Sequence, residues 1–292
     1  MSVPAAYIGV IIIWATTPLA IKWSGESVGF LFGVSARMLI GVILASVLIL
    51  VLRRPWRWHG RAVRAYLAVA LGLYGAMIFV YWGAQYIPSG LVSVVFGLTP
   101  LLTGVMAWFM LGERAFTVPR IIGMLLGLIG LGLIFGVDLS HGGPAWMGLV
   151  AAVGSVILYS FSTVWVKSLD AQVSALELTA GGLVIANILY LLTWWLSGGS
   201  IPEAIPIRSI GSIVYLGVFG SVFGFVMFYY ALSRLQASTM SLLTLITPVL
   251  ALFLGHFLNA ESVEPIALLG SGMILLGLVL YQGGLIRTRC KN

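Results

Sequence analysis

The chain has 292 residues, 61% of them hydrophobic and only 8% charged, with a formal net charge of +7 and a mean hydropathy of +1.11. Soluble domains carry about 25% charged residues, so this chain cannot cover itself with a polar surface and belongs in a lipid bilayer. Its length accommodates about ten spans of ~20 residues and leaves no room for a separate catalytic domain, while the single cysteine, Cys290, excludes an intramolecular disulfide or a cysteine metal cluster.

Ten apolar segments predict an all-α integral membrane protein, with helices over 3–23, 28–52, 64–86, 89–111, 118–137, 145–167, 175–196, 210–232, 236–258 and 264–286. No basic residue precedes Val3, so the first segment lacks the charged start of a secretory signal and is expected to remain as a span. Turn-forming or charged clusters separate the runs: Ser24-Gly25-Glu26, Arg53-Arg54-Pro55, Pro88-Ser89, Glu113-Arg114, His141-Gly142-Gly143-Pro144 and Ser197-Gly198-Gly199. Breaks as tight as Pro88-Ser89 imply helical hairpins. Runs of Leu, Ile, Val and Gly without period-two alternation speak against a β-barrel.

The basic residues sit in short connections beside apolar runs, where they report topology and lipid contact rather than nucleic-acid binding. With both termini cytoplasmic, that side holds Arg53, Arg54, Arg57, Arg61, Arg64, Arg114, Arg120, Lys167, Arg234, Arg287, Arg289 and Lys291. The opposite side keeps Lys22 and Arg208, together with the acids Glu26, Asp138, Glu203, Glu261 and Glu264. This bias predicts a multi-pass protein of the inner (plasma) membrane, N-in and C-in, with an even number of spans.

The two halves repeat. At an offset of 148 residues, Tyr81 pairs with Tyr229, Ser93 with Ser241, Thr99-Pro100 with Thr247-Pro248, Phe109 with Phe257 and Glu113 with Glu261. Spans 1 and 6 join at an offset of 145, pairing Trp14 with Tyr159 and Lys22 with Lys167. Five spans per copy is an odd number, so the copies, 1–140 and 141–292, enter the membrane from opposite sides. They form inverted repeats, the plan of carriers whose site lies between the halves.

These residues resemble the EamA-type carriers of the drug/metabolite transporter superfamily, over essentially the whole chain. The resemblance rests on Tyr81, the small-residue turn Pro88-Ser89, the helix broken at Pro100, Gly112-Glu113 and the Gly-rich fifth span from Gly123 to Gly132. The second copy offers Tyr229, Ala237-Ser238, Pro248, Ala260-Glu261 and Gly270 to Gly277, with Ala260 departing from the usual Gly. Trp14, Lys22 and Arg37 fit as well. Within the family, the length and aromatic-rich spans look like YddG-type exporters, a resemblance that implies export of aromatic and other neutral amino acids.

Candidate site residues follow from the chemistry such a substrate needs. Pro100 and Pro248 each remove a backbone hydrogen bond inside a span and read as paired gating points; the alternative is a static kink satisfied by Thr99 or Thr247. Trp14 and Tyr159 lie deep at equivalent positions, and Tyr81 and Tyr229 are also paired. Tyr74, Ile78, Trp82 and Gln85 share one predicted helical face, suited to stacking a ring-bearing substrate or simply to packing. Ser93, Thr99, Ser241, Thr244 and Thr247 supply hydroxyls for a zwitterion, unless they bond their own helix backbone. Arg37 lies ~14 Å into its span and needs a partner, be it a substrate carboxylate or structural carbonyls. Pro18, without a partner in the other copy, carries less weight.

Gly123/Gly127, Gly132/Gly136 and Gly220/Gly224 have the spacing for close helix approach. They place the fifth and tenth spans as peripheral supports of a monomer or homodimer. No Asp or Glu occupies the middle of a span, which predicts uncoupled exchange or coupling through another group. The scattered His59, His141 and His256 offer no catalytic or metal cluster, so the chain is not expected to be an enzyme or to need a metal or cofactor. The reading is a secondary exporter of small neutral metabolites, aromatic and other neutral amino acids foremost. Carriers of nucleobases, sugar phosphates or nucleotide sugars, drug efflux pumps and channels are the alternatives; a phosphate substrate would call for several cations, and Arg37 stands nearly alone.

Overall fold

The computed structural model describes residues 2–113, 117–141, 144–240, 246–260 and 265–289, and every regular element among them is helical. α1 (Val3–Gly25) starts at Ser2, whose hydroxyl accepts the Ala5 N–H, and α2 (Phe30–Val51) follows a short turn. The next run is composite: α3 (Gly60–Ala70), a π-helical segment (Leu71–Ala76) and α4 (Met77–Gly83). α5 (Ser89–Phe96) and α6 (Thr99–Leu111) are the two parts of one broken run, and α7 (Val118–His141) closes the first half. The second half contains α8 (Ala145–Leu169) and α9 (Ala175–Leu196), the latter opened by a Ser174–Glu177 capping box. Then come α10 (Ile207–Tyr215), a second π segment (Leu216–Phe223), α11 (Gly224–Leu232), α12 (Ala237–Met240), α13 (Ile246–Asn259) and α14 (Pro265–Arg289).

Among the described residues, seven helical runs are long and apolar enough to cross a membrane: Val3–Gly25, Phe30–Val51, Gly60–Gly83, Ser89–Leu111, Ala145–Leu169, Ala175–Leu196 and Ile207–Leu232. Shorter apolar stretches cover Ile121–Gly130, Leu250–Asn259 and Leu268–Gly277. Seven of the apolar segments read from sequence match the seven long runs to within about a turn, and the other three overlap the shorter stretches, the segment 236–258 passing partly outside the described residues. Their outer faces present side chains such as Ile12, Leu50, Leu125 and Ile188, as a lipid-solvated surface requires, while Arg37, Ser155, Ser160, Thr179 and Ser221 are buried. Tight packing then depends on small residues. A methyl at Gly130 would lie 2.5 Å from the Gly270 carbonyl oxygen, and one at Gly277 the same distance from that of Gly123. α7 and α14 thus pack on each other backbone to backbone, away from the centre.

Two local features differ from the sequence expectation. Pro100 is expected to bend or kink its span by removing a hydrogen bond within it. Instead the chain breaks at Gly97-Leu98, and Pro100 stands in the first turn of α6, where a missing N–H costs nothing. The Thr99 hydroxyl takes the Phe96 carbonyl at 2.5 Å. The π segments are the second difference, and no reading of the apolar periodicity anticipated them.

Candidate functional site

A cavity of about 70 Å3 lies at the centre, between the two halves. α1 lines it with Trp14, Thr17, Pro18 and Ile21, α2 with Arg37, α4 with Met77 and Val80, and α5 with Val92, Ser93 and Phe96. The second half contributes Tyr159, Phe225 and Thr247. Pro18 sits inside α1, where its ring removes the hydrogen bond to the Trp14 carbonyl next to the cavity. Ligand sites usually measure about 300–1,000 Å3, so a ring-bearing solute requires this cavity to open.

Aromatic rings from both halves form one wall. Trp14 lies 5.9 Å from Tyr159, 5.7 Å from Phe225 and 5.1 Å from Phe228, and Phe96 approaches Tyr159 at 6.2 Å between centroids. Arg37 forms the polar counterpart. Its side chain is 1% exposed, its Nε donates to Ser221 Oγ at 2.8 Å, and its Nη1 donates to the Tyr81 hydroxyl at 3.3 Å. Gly220 makes room for it: a methyl there would be 3.0 Å from Nη2.

Of the residues singled out from sequence, Trp14, Tyr159, Ser93, Thr247 and Arg37 meet at this cavity. Thr99 borders an adjoining void of about 10 Å3, shared with Trp14, Thr103, Tyr159, Thr163, Phe228 and Met240. Tyr81 is buried behind the wall, against Arg37. Tyr74 turns elsewhere: its hydroxyl meets Thr193 Oγ1 at 2.7 Å and its ring packs on Tyr190 at 4.9 Å. Trp82 packs on Tyr86 at 5.0 Å, outside the cavity lining. Met77 and Val80, on a different face of the same run, line the cavity instead. Ser241 and Thr244 lie outside the described residues; Pro248 is described only in its backbone, in the first turn of α13. Thr17, Ile21, Met77, Val80, Val92 and Phe225 also line it without having been singled out as site residues, and Pro18, given less weight from sequence, is on the lining too.

The ends of the molecule differ. Around Lys167 a cleft of about 660 Å3 opens among Asp170, Gln172, Leu178, Tyr229 and Ser233. Lys167 donates to the Leu232 and Leu235 carbonyls at 2.7 and 2.9 Å. Tyr229 stacks on Phe225 at 6.0 Å, so one aromatic pair joins cleft and central cavity. At the other end of the α10–α11 run, Trp23 Nε1 donates to Asn259 Oδ1 at 2.8 Å. Arg208 donates to the same oxygen at 3.0 Å, lies 4.0 Å above the Trp23 ring and pairs with Glu26 at 3.7 Å. Ser209 donates to the Trp23 and Glu26 carbonyls. This clasp ties α1, α10 and α13 together.

Comparison with known proteins gives this arrangement a family. The model of the EamA-like transporter family matches residues 3–136 and again 146–282. A transporter of Archaeoglobus fulgidus without an assigned role is 29% identical, the alignment covering 91% of this chain and 94% of that one. YvbV of Bacillus subtilis, also named only as a transporter, is 29% identical over 97% of this chain and 90% of its own. A probable terminal-alkyne amino-acid exporter of Streptantibioticus cattleyicolor is 26% identical over 93% of this chain and 90% of its own. One solved crystal structure superposes with a TM-score of 0.70 at 21% identity, covering 97% of this chain and 98% of the other, a likeness of fold. The chain belongs to the EamA-like transporter family and is a membrane protein of transporter lineage.

Proposed function

We propose that the chain is a secondary carrier that exports small neutral metabolites, aromatic and other neutral amino acids foremost, across the plasma membrane. It works by alternating access between inverted repeats 1–140 and 141–292, each of five spans, with both termini cytoplasmic. In that orientation the Lys167 cleft faces the cytoplasm and the Trp23–Asn259–Arg208 clasp closes the far side.

The observation that carries this reading is the composition of the central wall. Trp14 of one half and Tyr159 of the other face each other at 5.9 Å across a mostly apolar cavity that holds one buried cation. Rings stack on rings, and a single guanidinium matches a single carboxylate. A relative named as an amino-acid exporter supports the same substrate class. A sugar phosphate, with two negative charges, would find only half its charge balanced. The fused π segments and the broken α5–α6 run supply points where helices can bend.

Purified protein in liposomes, tested with radiolabelled amino acids, nucleobases and sugar phosphates, decides the substrate class. Saturable counterflow of phenylalanine or tryptophan is the expected result. Uptake of sugar phosphates in their place would overturn it, and unitary conductance would make the protein a channel. Spans without a central carboxylate predict little dependence on an imposed pH gradient; a strong dependence rejects the uncoupled version.

A further inference from the structure

Arg37 is a buried cation whose described neighbours are all neutral. Among the described residues its partners are the Ser221 and Tyr81 hydroxyls and the Tyr81 ring, 5.9 Å from the guanidinium carbon. The described side-chain ion pair, Arg208 with Glu26, lies at the clasp. A guanidinium carries five N–H donors, of which two are used here. Burying such a charge without an anion is costly, and a low-dielectric site rewards whatever anion completes it.

A second group on the same cavity is also incomplete. The Tyr159 hydroxyl is buried, its residue only 5% exposed, and among the described residues no side chain makes a hydrogen bond of good geometry to it, Thr163 being its nearest polar neighbour. Buried hydroxyls are normally satisfied. Among the described residues, one small cavity therefore holds a positive charge with no counter-ion and a hydroxyl short of a well-formed hydrogen bond, beside an aromatic wall.

We propose that Arg37 is the carboxylate anchor of the carrier, and that its substrates must carry one free carboxylate. The guanidinium binds the carboxylate, the Tyr159 hydroxyl meets the remaining polar group, and the side chain lies against Trp14 and Phe225. The charge count selects monocarboxylates: an amine or amide leaves Arg37 uncompensated, and a phosphate dianion leaves excess negative charge. This inference rests on the amino-acid reading for its substrate class, but its test does not need amino-acid transport.

The test is thermal stabilisation of the purified protein by matched ligands: L-phenylalanine, its amide, phenethylamine and 3-phenylpropionate. Wild type should be stabilised by phenylalanine and phenylpropionate and not by the amide or the amine. Arg37→Met, unbranched, apolar and somewhat shorter, should fold, as judged by a monodisperse elution profile, and lose carboxylate affinity on the order of 10- to 100-fold. Arg37→Lys, which keeps the charge and loses the fork, should fall between. A wild-type response indifferent to the carboxylate overturns the anchor whether or not the variants fold. So does a folded Arg37→Met protein that still prefers acid to amide. Stabilisation by phenylpropionate without phenylalanine would leave the anchor standing and remove the amino-acid reading.

Discussion

The two π segments occupy matching places in the two halves, yet they are held very differently. Both grow from one short pattern at an offset of 145, Leu71-Gly-Leu-Tyr-Gly-Ala76 and Leu216-Gly-Val-Phe-Gly-Ser221. A π turn leaves backbone carbonyls without their usual donors. In the first segment, hydroxyls from the opposite half step in: Tyr190 donates to the Leu73 and Tyr74 carbonyls at 3.1 Å, and Ser155 to Ala76 at 2.7 Å. Ser162 adds a bond to the Ala68 carbonyl just before it. Among the described residues, no side chain donates to a carbonyl of 216–223; a side-chain anchor there is Ser221, through Arg37. The first segment is therefore strapped to α8 and α9, while the second has fewer side-chain ties among the described residues. In an alternating-access cycle the first would serve as a strut and the second as the hinge.

The sharpest way to break this contrast is to cut the hinge's anchor. Ser221→Ala removes the acceptor of a buried guanidinium N–H, a bond of a class worth about 1.5–3 kcal/mol. Hydrogen–deuterium exchange should then accelerate selectively across 216–223, leaving 71–76 protected, and the transport rate should change with it. Equal protection of both segments in the wild type would erase the distinction at once.

How much of this was legible beforehand divides along physical lines. Apolar runs mark helices because lipid leaves the backbone no other partner, so the helical runs and their near-boundaries were readable. Trp14, Tyr159 and Arg37 stood out because large aromatics and a charge deep in a span are rare. The π segments left a trace in the repeated Leu-Gly-x-aromatic-Gly pattern, but periodicity assumes one constant twist and passes over them, and it cannot say which face of a run meets the cavity. The pairing also changes from an offset of 145 at Leu216 to 148 at Tyr229, so the register slips within the second composite helix. The identity of Arg37's neighbours was not readable either, since Ser221 lies 184 positions away and only packing brings them together.

A smaller effect is expected on the strut. Tyr190→Phe keeps the ring, which packs on Tyr74, and deletes the donor to two carbonyls. Interhelical hydrogen bonds in membranes average about 0.6 kcal/mol, so a loss of about 1 kcal/mol is expected, read as a lower thermal midpoint in detergent. Protection at 71–76 should fall, and protection at 216–223 should not.

Ser155→Ala should cost least, about 0.6 kcal/mol, because it removes one strap of several. Its position in the first half is taken by Val10, an apolar residue, which is why the hinge has no counterpart to this bond. The informative readout is transport rather than stability. If the first segment is a strut, loosening one strap leaves its other bonds to hold the helix, and transport should stay near wild type. Ser221→Ala disturbs the side-chain anchor of the hinge and touches Arg37, so its effect on rate should exceed that of Ser155→Ala. Equal effects would mean that both segments flex in the cycle, and that the straps set stability alone.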